Sequence, residues 1–158
     1  MLFRSVLSGG AGNDFIDGGA HHDYIDGGEG DDNLRGGSGR DMMAGGEGDD
    51  ILEGGNDDDG MLDGYGDALV MGGFGNDTLA NSWGNDLVRG GLGNDRLVSY
   101  SDAGEPVPAQ DATGLVNAGE PLANSSDTLV GDAGADTFYF HLAVDAKQAI
   151  INKYTDAN

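Results

Sequence analysis

The sequence predicts an all-β repeat fold of short strands joined by glycine-rich turns, and three observations predict it. From Gly9 to Val98 the chain keeps a nine-residue period without a slip, reading GGAGNDFID, GGAHHDYID, GGEGDDNLR, GGSGRDMMA, GGEGDDILE, GGNDDDGML, DGYGDALVM, GGFGNDTLA, NSWGNDLVR and GGLGNDRLV. The eighth position is always apolar: Ile16, Ile25, Leu34, Met43, Leu52, Met61, Val70, Leu79, Val88 and Leu97. Glycine dominates positions one, two and four, and aspartate fills position six in nine of the ten repeats. Self-similarity of this kind marks units that cannot bury an apolar face alone and must stack to do so.

Composition without phase would suggest disorder, because 31 glycines and a net charge of −22 in 158 residues leave little apolar surface to offset chain entropy. The strict return of glycine, aspartate and one large apolar residue to the same phase argues for an ordered array instead, with disorder expected when the charge is uncompensated. So negative a chain is a poor partner for nucleic acid or an anionic membrane surface, both of which call for cationic patches, and a natural partner for cations. Cysteine is absent, which excludes a disulfide framework and does not locate the protein. No apolar run is long enough to cross a bilayer, and residues 1–7 are too short for a secretory signal.

Taken in order, residues 1–8 read as a leader that need not be native, since Leu2-Phe3-Arg4-Ser5 is also what one frame of a common sequencing adaptor encodes. Residues 9–98 are the array. Within each repeat, positions seven to nine read as a three-residue strand with the eighth side chain inward and its neighbours outward, and the other six residues as a turn. Positions one, two and four are expected to need positive φ, which penalises a β-carbon. The non-glycine occupants of positions one and four, Asp63, Asn81, His21 and Asp57, are the residue types that best tolerate that geometry.

These nonapeptides, GGxGxDxUx with U a large apolar residue, resemble the haemolysin-type calcium-binding (RTX) repeats. The resemblance implies a right-handed parallel β-roll, a β-helix-like solenoid in which two nonapeptides make one coil of eighteen residues. Stacked coils then give two short-strand parallel sheets with the apolar row between them and calcium-binding turns at the edges. From residue 99 to 126 the period is lost in a segment holding all three prolines, read as a loop inserted into the solenoid. The beat returns over 127–140, where GADTFYF is similar to the segment that ends many RTX arrays. Residues 141–158 resemble the truncated start of a C-terminal capping region.

Position six carries the chemistry: Asp14, Asp23, Asp32, Asp41, Asp50, Asp59, Asp77, Asp86 and Asp95, with a gap at Ala68. In the coil that the resemblance implies, equivalent aspartates two repeats apart stack at roughly 4.8 Å, the spacing of adjacent strands. Calcium bonds oxygen at about 2.3–2.6 Å and accepts carbonyls as well as carboxylates, so one ion can bridge neighbouring loops; magnesium is the weaker candidate because it demands tight octahedral geometry and retains water. The family pattern implies carbonyls of positions two and four with the aspartate of one loop, and carbonyls of positions one and three with the aspartate of the next. The first site would then combine Gly10, Gly12 and Asp14 with Gly27, Glu29 and Asp32. Repeats paired two apart make about eight such sites, four on each side. Ala68 would weaken its sites with Asp50 and Asp86, and Asp127 and Asp136 would extend the rows if residues 99–126 fold aside. One such aspartate is an ordinary turn residue; nine in phase with the glycines speak for a metal.

No catalytic residue is expected. His21 and His22 lie in a turn and His141 beyond the array, without zinc-ligand spacing, and neither a GxSxG nucleophile motif nor a phosphate loop occurs. Arg35 and Arg40 read as surface charges. Position three changes character along the chain and ends in Tyr65, Phe74, Trp83 and Leu92, while Ile51, Leu69, Met71 and Leu87 make one sheet's outer face apolar. Burial under residues 99–126 and the tail is the preferred explanation, and an exposed surface for glycan stacking or a partner domain the alternative.

The expected function is that of a noncatalytic calcium-binding module that folds on extracellular calcium. The resemblance implies a larger bacterial protein secreted by a type I system. The alternatives for that parent are an RTX enzyme, such as a protease, lipase or polysaccharide epimerase, carrying this module as an appendage, or an adhesin or surface-binding protein.

Overall fold

A computed structural model describes residues 5–99 and 128–140, which form thirteen strands and, among the described residues, no helix. One sheet has seven strands: β1 (Val6–Ala11), β3 (Tyr24–Glu29), β5 (Met42–Glu47), β7 (Gly60–Tyr65), β9 (Thr78–Asn81), β11 (Arg96–Ser99) and β13 (Thr137–Phe140). The other has six: β2 (Phe15–Ala20), β4 (Asn33–Ser38), β6 (Ile51–Asn56), β8 (Leu69–Phe74), β10 (Leu87–Leu92) and β12 (Thr128–Ala133). Odd strands stack on odd and even on even, always parallel, so the chain alternates between two sheets and advances one strand per coil. The all-β parallel β-roll expected from the repeats is what the chain forms. The leader before Ser5, Asp127, the bulk of the 99–126 segment and the 141–158 tail lie outside the described residues.

Register explains why the nonapeptide is the unit. Ile16 stands opposite Leu34, Leu34 opposite Leu52, and Leu52 opposite Val70, each eighth-position residue meeting its equivalent two repeats on. Ile25, Leu34, Met43, Leu52, Met61, Val70, Leu79, Val88, Leu97 and Leu129 are all buried in one continuous core between the sheets, with Leu7, Ile16 and Phe138 partly buried at its ends. Burying such a side chain stabilises by about 1.5–3 kcal/mol. One such residue per repeat makes a core narrow enough that the edges carry much of the remaining cohesion.

Two expectations need correcting. The strands are not three residues long: most span six, from position seven through position three of the following repeat, leaving only positions four to six as the turn. Backbone pairing continues past the apolar residue because the glycine pair also finds its equivalent, Gly19 opposite Gly37 and Gly37 opposite Gly55. The array also starts earlier than Gly9. Val6, Leu7 and Ser8 pair with Tyr24, Ile25 and Asp26, so part of the segment read as a leader occupies positions seven to nine of a repeat whose glycines are missing.

β12 and β13 continue the stack, Leu87 opposite Thr128 and Arg96 opposite Thr137. Coils elsewhere repeat every 18 residues, whereas the backbone N–H of Asp95 reaches Asp136 across 41. The Arg89 guanidinium clamps the Asp132 carboxylate at 3.0 and 3.1 Å, and Arg96 lies 4.5 Å over the Tyr139 ring.

Candidate metal centre

The edges of the solenoid are built by the three-residue turns, and the glycines before them do two different jobs. Positions two and four have positive φ, as at Gly28 (114°) and Gly30 (116°), and His21 (87°) and Asp57 (77°) adopt the same region at position four. Position one does not, which corrects the expectation for Asp63 and Asn81: neither has positive φ. Glycine is needed there for space. A Cβ on Gly36 would sit 2.5 Å from Asp41 Oδ2 and 2.7 Å from the carbonyl oxygen of Gly54, one coil on. Gly9 is bordered in the same way by Asp14 Oδ2 at 2.5 Å and the Gly27 carbonyl at 2.6 Å. Position-one glycines from Gly9 to Gly72 thus leave open a small space lined by a carboxylate oxygen and a carbonyl from the next coil, and Gly90 and Gly131 do the same beside Asp95 and Asp136 alone.

Position six forms two rows. Along one edge the backbone N–H of Asp14 donates to Asp32 Oδ1 (2.8 Å) and that of Asp32 to Asp50 Oδ1 (2.9 Å). Ala68 has no oxygen for the next step, and the row resumes with the Ala68 N–H on Asp86 Oδ1 (3.0 Å). Along the other edge the ladder is unbroken through Asp23, Asp41, Asp59, Asp77, Asp95 and Asp136, with donor–acceptor distances of 2.8–3.0 Å. Asp136 thus joins its row.

From Asp23 on, one oxygen of each carboxylate is held by a backbone N–H, and except at Asp86 and Asp136 the other is left over. Oδ2 of Asp14, Asp23, Asp32, Asp41, Asp50, Asp59, Asp77 and Asp95 is buried without a hydrogen-bond partner. A buried polar atom left unmatched costs about 1–3 kcal/mol, and more when charged. Burial raises five of these acids. Desolvation pushes Asp59 up to about 7 and Asp50 and Asp77 to about 6 against the backbone N–H bonds that pull the other way, with repulsion from neighbouring aspartates adding to the rise. Asp41 and Asp95 are raised for the same leading reason. Among the described residues no three His, Cys, Asp or Glu side chains converge. A cation taken up here would draw on two carboxylates at most and fill its shell with carbonyls, which suits a hard ion of six or more oxygen ligands.

The RTX calcium-binding nonapeptide repeat family matches the chain in four copies, over residues 5–34, 26–61, 63–97 and 123–140. The chain belongs to this family. Its repeats form a noncatalytic calcium-binding module. Comparison with curated proteins and with solved structures gives no match.

A second RTX ladder, at position five, escaped the reading of the sequence. Asp31, Asp49, Asp67 and Asn85 each donate their backbone N–H to the position-five oxygen one coil earlier, on Asn13, Asp31, Asp49 and Asp67, at 2.8–3.1 Å. On the other edge Asn76 and Asn94 do the same to Asp58 and Asn76, and the Arg40 N–H uses His22 Nδ1. Arg40, expected to be a plain surface charge, also forms an exposed ion pair with Asp58. The Asn76 N–H holds the Asp58 carboxyl below the usual carboxylate range, opposite in direction to the inner row. The signal lies in the ND and DD doublets that end seven of the ten turns.

Tyr65, Phe74, Trp83 and Leu92 do not form one surface. Tyr65 and Trp83 stack with ring centroids 6.1 Å apart on the edge after β7, while Phe74 pairs in register with Leu92 at the ends of β8 and β10. Tyr65, Phe74 and Leu92 are at least half exposed.

Proposed function

We propose that the chain is a β-roll module of a larger secreted bacterial protein and that calcium drives its folding. The single observation that carries this reading is the pair of aspartate rows in which eight buried Oδ2 atoms lack a partner, most of them close to a carbonyl of the next coil. In it, calcium bridges successive turns through the aspartate pairs from Asp14 to Asp95 and through Asp95 with Asp136. Backbone carbonyls complete each shell: Gly10, Gly12, Gly27 and Glu29 in the first site, alongside Asp14 and Asp32. About eight ions bind in the main array.

Without ions the aspartates oppose stacking, since unit charges about 5 Å apart repel by roughly 0.8 kcal/mol even at the dielectric of water. Calcium reverses that sign, so binding energy becomes folding energy. Extracellular calcium modules typically bind at about 10⁻⁴–10⁻³ M. A chain of this kind stays extended in a low-calcium cytosol, passes a type I exporter and folds outside, a sequence of events that the family membership supports. Circular dichroism during a calcium titration, with magnesium as control, tests it: β signal should appear at millimolar calcium and not with magnesium. A signal indifferent to calcium would overturn the reading.

A further inference from the structure

We propose that Asp63 supplies, from position one, the carboxylate that Ala68 withholds at position six, and with Asp86 completes a calcium site between the turn at residues 66–68 and the turn at 84–86. The inference rests on the calcium reading above and deepens it at the one place where the position-six ladder fails.

Positions one and six of a repeat compete for the same space. A Cβ on Gly45 would collide with Asp50 Oδ2, five residues later in the same repeat. The repeat containing Ala68 lacks that carboxylate, and there position one is an aspartate. The two departures from the consensus are complementary: the side chain missing at 68 is what leaves room for the one at 63.

The electrostatic role moves with the side chain. On this edge Asp14, Asp32 and Asp50 each leave Oδ2 buried without a partner. At Asp86 the Oδ2 atom accepts from Asn81 Nδ2 at 3.2 Å, and the unpartnered buried oxygen passes to Asp63 Oδ2. Asp63 is 2 % exposed, and its Oδ1 accepts the Gly64 N–H at 2.5 Å. Its carboxyl faces Asp86 and receives the Ser82 N–H from the next coil, so it spans the same gap between turns that a position-six aspartate spans elsewhere. Burial, then the nearby Asp86 charge, pushes Asp63 well above the usual carboxylate range, and burial brings Asp86 to about 6. Among the described residues no cationic side chain pairs with Asp63; Arg40 and Arg89 are committed to Asp58 and Asp132. The two carboxyls meet each other and accept N–H groups of Gly64, Ser82, Ala68 and Asn81, yet Asp63 Oδ2 is left over, an oxygen of the kind a hard cation would take up along the rest of this edge.

Trp83, the only tryptophan, stands immediately before the turn that carries Asp86 and reports on this site. The full chain is titrated with calcium and its bound ions counted by native mass spectrometry; in parallel, terbium is added and its emission excited through Trp83. Asp63→Asn should bind one ion fewer and lose tryptophan-sensitised emission, whereas the double variant Asp63→Gly/Ala68→Asp should match the parent in both. The assignment is overturned if Asp63→Asn keeps the full count and emission while Asp32→Asn loses ions. It is equally overturned if the double variant gains an ion that the parent lacks, an outcome readable even if Asp63→Asn fails to fold. A parent that binds no calcium would overturn the ladder reading itself and this site with it.

Discussion

The backbone N–H of Asp41 donates to Oδ1 of Asp59 at 2.8 Å, eighteen residues on, while Oδ2 of the same Asp59 carboxylate is buried with no partner. One side chain thus ties coil to coil and, in the function proposed above, presents its other oxygen to calcium. Asp59→Ala should therefore hurt twice. The unmatched Asp41 N–H alone costs about 1–3 kcal/mol, and the calcium midpoint should rise, because the sites on both sides of Asp59 lose a carboxylate. Asp17→Ala, on an exposed outward position of β2, should leave the midpoint unchanged. Calcium titrations followed by circular dichroism compare the two directly.

Gly36→Ala separates space from backbone geometry. Gly36 has no positive φ, so a helix- or strand-propensity argument predicts a mild effect. The clash with Asp41 Oδ2 and the Gly54 carbonyl predicts a loss on the order of 1–3 kcal/mol and weaker calcium binding. Equilibrium denaturation at saturating calcium measures the first and a titration the second; a change of a few tenths of a kcal/mol would show that the space beside position one is not needed.

Acid should substitute for calcium in part. The folded-state values of Asp50, Asp59 and Asp77 are raised from 3.8 to about 6 or 7, so protonation favours the folded chain. Their contribution to metal-free stability is fully present below about 3.8 and is lost as pH rises through 6 to 7. A chelator-treated sample taken from pH 7 to pH 4 should gain β signal. With calcium present, affinity should fall over the same window, since protons and the ion compete for the same oxygens. A metal-free chain that loses structure on acidification would contradict the burial of these acids.

Arg89→Ala tests what holds the last of the described coils. The guanidinium and Asp132 are half and about a third exposed, so the pair should contribute no more than about 1 kcal/mol and less at high salt. Hydrogen exchange in β12 and β13 should quicken slightly in the variant. Asp136→Ala, which strips the acceptor from the Asp95 N–H, should quicken it much more.

Much of this is legible in the sequence. A row such as Leu34, Leu52 and Val70 announces itself because the register that buries it is the period itself, and the aspartates at position six stand in phase with it. What stayed hidden depended on distances between repeats. The glycine at position one looks in sequence like its neighbour at position two, yet Gly36 is there to clear Asp41 and Gly37 to adopt a φ of 107°. The strands looked short because Gly36 and Gly37 read as turn, although their pairing partners are other glycines. The position-five bonds were overlooked because Asn13 and Asp31 read singly as ordinary turn residues. Asp63 reads in sequence as a tolerated replacement for glycine, and its burial beside Asp86 is visible only in the fold.

The join between Leu87 and Thr128 shows how little the stack depends on the path between its coils. Each strand pairs with the edge of the coil before it through the same rows, apolar side chain opposite apolar side chain, whether 18 or 41 residues separate the two. Such a solenoid is open to editing: a coil can be added, dropped or separated from its predecessor by unrelated sequence while the growing edge remains the same template. For an evolving lineage this makes length an adjustable quantity, and the gap between coils a place where new sequence can be carried without first solving a new fold.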